Sequence, residues 1–103
     1  MERYVNVADL IGSPSALGQE EGNIVYNEIK ASFEKNEVIH LDFNKVETII
    51  SPFLNTAIGK LYEKYSSEQI RKLLDLQNFP VSKNQTLNVV ISNAKRYYAN
   101  KDS

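Results

Sequence analysis

The hydrophobic positions of this chain change period several times, and each change marks a new element. Tyr4, Val5, Val7, Leu10 and Ile11 make an apolar-rich opening that predicts a first strand over residues 3–9. Gly12-Ser13-Pro14-Ser15 breaks it. Between residues 15 and 35 the spacing turns helical, with Val25, Tyr26, Ile29 and Phe33 on one stripe. Gly18 and Gly22 extend that stripe toward the N-terminus. Each glycine costs ~1 kcal/mol against alanine inside a helix. Either the helix starts near Gln19, or these glycines let its backbone approach the sheet closely.

The clearest strand covers residues 37–43. Ile39, Leu41 and Phe43 point one way, and Val38, His40 and Asp42 the other. Residues 46–50 predict a short extended segment. A helix over 52–64 follows, with Leu54, Ala57, Ile58, Leu61 and Tyr65 on one face. Ser66 and Gln69 have capping-box spacing, which opens a short helix. Residues 73–79 predict a strand, and Pro80 stops it. Ser82 and Gln85 repeat the capping-box spacing before a last helix, whose stripe is Leu87, Val90, Ile91, Ala94 and Tyr98. The tail from residue 99 to 103 is polar and is expected to fray.

Strands alternating with helices predict an α/β fold, a small and largely parallel sheet with crossover helices. No linker, repeat or low-complexity stretch interrupts the chain, so residues 1–103 are expected to form a single domain. In such folds the loops after the strand C-termini gather the functional groups. That edge is expected to carry Gly12, Ser13, Asp42, Asn44, Ser51, Asn78 and Ser82.

Composition narrows the chemistry. The chain is 42% apolar and 24% charged, ordinary for a folded protein. Twelve lysines and arginines nearly balance 13 aspartates and glutamates, which gives no electrostatic footprint for nucleic acid or an anionic membrane. No apolar run approaches the ~20 residues of a membrane span. The start of the chain lacks a signal-peptide layout, and a cytoplasmic location is expected. There is no cysteine and His40 is the sole histidine, so a clustered zinc site cannot be assembled and no cofactor is expected. His40 falls in mid-strand, away from the edge a Ser-His-Asp arrangement would need. No P-loop or dinucleotide fingerprint occurs. The tyrosines at 62, 65, 97 and 98 lie beside apolar stripes without a basic groove, which points to packing rather than base stacking.

Ser51-Pro52 is the remaining candidate. Serine is a favoured N-cap, and proline is favoured just after it. Capping alone would explain the pair. The same position also suits function, because free N–H groups at a helix start favour an anion and a phosphate added there would change a binding surface.

The stretch "VIHLDFNKVETIISPFLNTAIGKL" resembles the STAS domains, named for sulfate transporters and anti-sigma-factor antagonists. The shared features are an apolar strand ending in Asp, a second apolar segment, a serine and an amphipathic helix. "SPFLNTAIG" is more closely similar to the bacterial STAS-like family of unknown function, and this likeness runs from about residue 20 to 98. In regulatory STAS domains a serine of an Asp-Ser-Ser-Gly type motif is phosphorylated by an ATPase-type kinase. Against that motif Ile50 stands at the aspartate, Ser51 at the first serine and Pro52 at the second, the usual acceptor. The resemblance implies a STAS-like fold, a histidine-kinase-like ATPase as partner, and Ser51 as docking point or phosphate acceptor.

Three functions follow as expectations. The first is a non-catalytic regulatory interaction module. It docks through Ser51 and Pro52, with Asp42, Asn44, Asn55, Thr56, Lys60 and Glu63 as contact candidates. The second is a constitutive structural subunit of an ATPase-containing complex. The third is a small-ligand binder or enzyme built on Asp42, Ser51 and Asn78.

Overall fold

A computed structural model describes residues 1–99 of the chain. The end of the predicted frayed tail, from residue 100, lies outside the described residues. The strands are β1 (Glu2–Asn6), β2 (Ser15–Ala16), β3 (Val38–Asp42), β4 (Thr48–Ile49) and β5 (Leu74–Gln77). The helices are α1 (Val7–Ile11), α2 (Gln19–Glu34), α3 (Ser51–Ala57), α4 (Ser67–Leu73) and α5 (Asn84–Tyr97). The main sheet is parallel, in the order β1-β3-β5, and a separate parallel pair joins β2 to β4. The expected α/β architecture of a small parallel sheet with crossover helices is the one observed.

The alternation in β3 does what it predicts. Ile39, Leu41 and Phe43 are buried, and they meet the buried stripe Val25, Tyr26, Ile29 and Phe33 of α2 in one contiguous core. Phe53, Leu54, Ala57, Ile58 and Leu61 join that core, with Ile70 and Leu73 from α4 and Val90 and Ala94 from α5. The other face of the sheet carries Glu2, Tyr4, His40 and Asp75, all half-buried or exposed. Parallel sheets are usually covered on both faces. Here the uncovered face is polar and knits itself together. His40 bonds Asp75 of β5 at 2.7 Å and Glu2 of β1 at 2.5 Å, and its ring stacks on Tyr4 at 4.4 Å.

The first reading of the α2 glycines holds, and the second is corrected in its partner. Gly18 is the N-cap, with its N–H donating to Glu21 Oε1 at 3.0 Å, and the helix starts at Gln19. Gly22 is the close approach, but to α3 and not to the sheet. A Cβ on Gly22 would stand 2.7 Å from Thr56 Cβ and 2.9 Å from the Phe53 carbonyl oxygen.

Four local expectations are corrected. The first strand stops at Asn6, whose side chain accepts from the Asp9 N–H at 2.9 Å and starts α1 over residues read as strand. The predicted helix over 52–64 changes at Ile58 into a 3-10 turn, Gly59–Glu63, because glycine favours helix continuation weakly. The strand predicted over 73–79 is shorter, since α4 runs to Leu73 and β5 ends at Gln77. Ser82 caps nothing: it lies in a 3-10 turn, Val81–Lys83, and α5 begins at Asn84 after an uncapped Lys83.

Candidate functional site

The loop from β3 to α3 is built from the Asp42 side chain outward. Asp42 Oδ1 accepts from the Asn44 N–H and from Asn78 Nδ2, both at 2.9 Å. The Asn78 amide, then the Asn44 N–H, hold the Asp42 carboxyl below its usual range. Asn78 itself sits in the left-handed region at φ 55°, which asparagine tolerates well. Asn6, which the sequence pattern did not single out, also reaches this edge by donating from Nδ2 to the Asn44 carbonyl at 3.2 Å. The group is a satisfied turn network that ties together the ends of all three main-sheet strands. Gly12 and Ser13 are not on this edge as strand-end residues, because α1 intervenes between them and β1.

Ser51 is placed by the second sheet. The Glu47 and Thr48 N–H groups donate to the Pro14 carbonyl at 2.7 and 3.2 Å, and the Ile50 N–H donates to the Ala16 carbonyl at 3.2 Å. These bonds hold Ile50 extended at φ −127°, ψ 165°. Its carbonyl then accepts from the Phe53 N–H at 3.1 Å. Ile50 therefore occupies the N-cap, Ser51 is the first helical residue, and no side chain caps α3. The capping role expected of Ser51 is overturned, and its exposed hydroxyl is left unused by the helix start.

The surroundings of Ser51 are open and mostly polar, with one apolar side chain. Ser51 lines a shallow cleft of about 320 Å³ with Ser82, Gln85, Thr86 and Val89. Val89 is 51% exposed. Ile50 and Val81, the chain neighbours of Ser51 and Ser82, are 39% and 82% exposed. Leu17, next to the Ala16 carbonyl that holds Ile50, is also exposed. Isolated exposed apolar residues are ordinary, and of these four Val89 alone lines the cleft.

The remaining candidates separate into a second area. Asn55, Thr56 and Lys60 line a polar groove of about 350 Å³ with Gln19, Asn23 and Tyr98. Asn55 is exposed there, and Lys60 places its ammonium 4.7 Å from the centre of the Tyr26 ring. Thr56 is buried, since it fills the space that Gly22 leaves, and this corrects its expected place as a free contact residue. Asp42, Asn44 and Asn78 thus form one group, Ser51 and Pro52 a second, and Asn55 with Lys60 a third.

Among the described residues, no group of three or more histidine, cysteine, aspartate or glutamate side chains is arranged to hold a metal ion, and no helix is long and apolar enough to cross a membrane. The topology defines a small parallel α/β domain with its exposed serine at the start of a helix that follows the central strand. Residues 21–81 match the model of the STAS-like domain of unknown function (DUF4325), and the chain belongs to that family. The match begins inside α2 and ends after β5, so β1 and α5 lie outside it. Comparisons with curated proteins and with solved structures gave no match.

Proposed function

We propose that this chain is a non-catalytic protein-interaction module that docks a partner through the face around Ser51. The observation that carries this reading is the open cleft where the exposed Ser51 meets the exposed Val89, with exposed Ile50 and Val81 next in the chain to its two serines. A protein interface combines apolar contacts such as Val89 with polar groups that bond across it. Membership of a STAS-like family supports a regulatory role, and the resemblance to phosphorylated STAS domains makes a histidine-kinase-like ATPase the partner to test. Phosphate on Ser51 would place charge in the cleft beside Val89 and would oppose docking by desolvation cost.

The test is an affinity capture on the tagged protein from its native lysate, with and without ATP, read by partner identification and intact mass. Parent, Val89→Asp and Ser51→Asp baits are compared. The expected result is an ATPase retained by the parent and lost by Val89→Asp, whose melting temperature stays near the parent's because the residue is exposed. Added mass mapped to Ser51 identifies the switch. The same partner on an unmodified bait, unaffected by ATP, identifies a constitutive subunit. Retention by Val89→Asp equal to the parent moves the docking face elsewhere.

A further inference from the structure

A cavity of about 260 Å³ lies on another side of the molecule, between α4, β5, α5 and the end of α3. Its walls are apolar: Ile58, Ile70, Leu76 and Ile91 line it. Its charged residues are both cations, Arg71 from α4 and Lys95 from α5, and no carboxylate lines it. Both cations are exposed, and neither is in an ion pair with a described residue. Lys72, the neighbour of Arg71, is by contrast paired with Glu68 at 3.4 Å.

Tyr62 supplies the third feature. Its side chain lines the same cavity and is only 8% exposed. Tyrosine hydroxyls usually bond a partner at the edge of an apolar site, and the Tyr62 hydroxyl is not one of the buried polar atoms left without one, a class that among the described residues holds Ser32 Oγ alone. Burial pushes the phenol above its usual value, and the nearby Arg71 guanidinium opposes that rise. A neutral phenol donor thus sits beside a cation in an apolar cavity.

We propose that this cavity binds a small free organic anion with an apolar body and one carboxylate, a medium-chain carboxylate of about eight carbons. The carboxylate sits at the Arg71 and Lys95 mouth and accepts from the Tyr62 hydroxyl, while the chain lies among Ile58, Ile70, Leu76 and Ile91. Arginine and lysine select the charge, since guanidinium and ammonium groups are donors without acceptor capacity. The volume lies below the ~300–1,000 Å³ common for ligand pockets, which limits the body to a short chain or one ring.

The experiment titrates the full chain with sodium octanoate and follows backbone amide shifts. Octanol, acetate and anionic phospholipid vesicles are the comparison arms. The expected result is saturable shifts on α4, β5 and α5 with a Kd near or below about 1 mM, as the modest energy per ligand atom allows. Octanol and acetate should each bind at least about ten-fold more weakly, because each lacks half of the recognition. Arg71→Gln combined with Lys95→Gln should weaken octanoate by about ten-fold at an unchanged melting temperature, and Tyr62→Phe by a few-fold. Equal binding of octanol, parent-like binding by the double variant, or shifts with vesicles and not with octanoate would each overturn the assignment. Both cations are exposed, so the double variant keeps the test valid even if a cavity-filling variant such as Ile91→Trp fails to fold.

Discussion

Two serines in this chain announce helices with similar sequence signals, and the structure uses them differently. Ser66 precedes α4 as a true N-cap, with its hydroxyl accepting from the Gln69 N–H at 3.1 Å. Ser51 precedes Pro52 and reads just as well as a cap, yet Ile50 holds the cap position and the Ser51 hydroxyl faces a cleft. One hydroxyl is consumed by secondary structure, and the other is free for chemistry or contact. The contrast teaches where to look for function: a polar group that the fold does not need, in a setting the fold has made accessible.

If α3 lacks a side-chain cap, packing must hold it, and Gly22→Ala tests that. The new methyl would meet Thr56 Cβ at 2.7 Å and the Phe53 carbonyl at 2.9 Å, so the backbone of α3 must move. Alanine gains ~1 kcal/mol of helix propensity, but overpacking costs typically ~1–3 kcal/mol and more against backbone. We expect a net loss of about 2 kcal/mol, a fall in melting temperature of roughly 8–16 °C for a chain this size. A thermal melt reads it, and a gain in stability would show that α3 is seated less tightly than its geometry implies. Ser66→Ala is the next effect down. Loss of a serine cap should cost about 1 kcal/mol, measured by urea denaturation.

The elements that carried long-range burial were the legible ones. The α2 stripe and the β3 alternation each bury several side chains in period, and a period is what a sequence displays. α1 was not legible, because five residues between Asn6 and Gly12 contain an apolar run that fits a strand equally well. β4 falls inside the extended segment predicted over residues 46–50, but its partner β2 was not legible, because it is two residues long and exists only by pairing with β4. That pairing also explains Ser51. The Ala16 carbonyl holds Ile50 extended, and this shifts the cap one residue upstream of the place the Ser-Pro signal marks. The cleft at Ser51 joins residues more than 30 positions apart, and no local pattern could bring Ser82 and Val89 to Ser51.

His40 extends the set of polar groups that the fold does use. Asp75 first, then Glu2, raise its pKa above the usual value, while His40 lowers that of Asp75. A raised histidine contributes stability that is complete below its unfolded value, ~6.5, and is lost as pH rises through the higher folded value. The lowered Asp75 contributes stability that is present above its own unfolded value, ~3.9, and is lost as pH falls through the folded one. The stability gap between the parent and His40→Gln should therefore be widest between about pH 4 and 6.5 and narrow above it. The effect should be smaller than loss of the Ser66 cap, because Glu2 and Asp75 are exposed and water screens them. Melts across pH 4–9 read the gap, and a gap of the same size at pH 9 as at pH 6 would mean that the ring acts by packing on Tyr4 alone.

Ser51→Ala completes the comparison with the smallest expected effect on folding. Its hydroxyl makes no cap, the residue is exposed, and its backbone N–H precedes the intrahelical bonds. Exposed substitutions of this kind change stability by about 0.5 kcal/mol or less. Urea denaturation of Ser51→Ala beside Ser66→Ala should give midpoints that differ, with Ser51→Ala on the parent curve. A loss of about 1 kcal/mol at Ser51, equal to that at Ser66, would show that its hydroxyl caps α3 in solution after all, and the serine would return to the structural side of the contrast. A parent-like midpoint makes any effect of Ser51→Ala on capture of the partner a property of the surface, because the fold will have been shown not to depend on that hydroxyl.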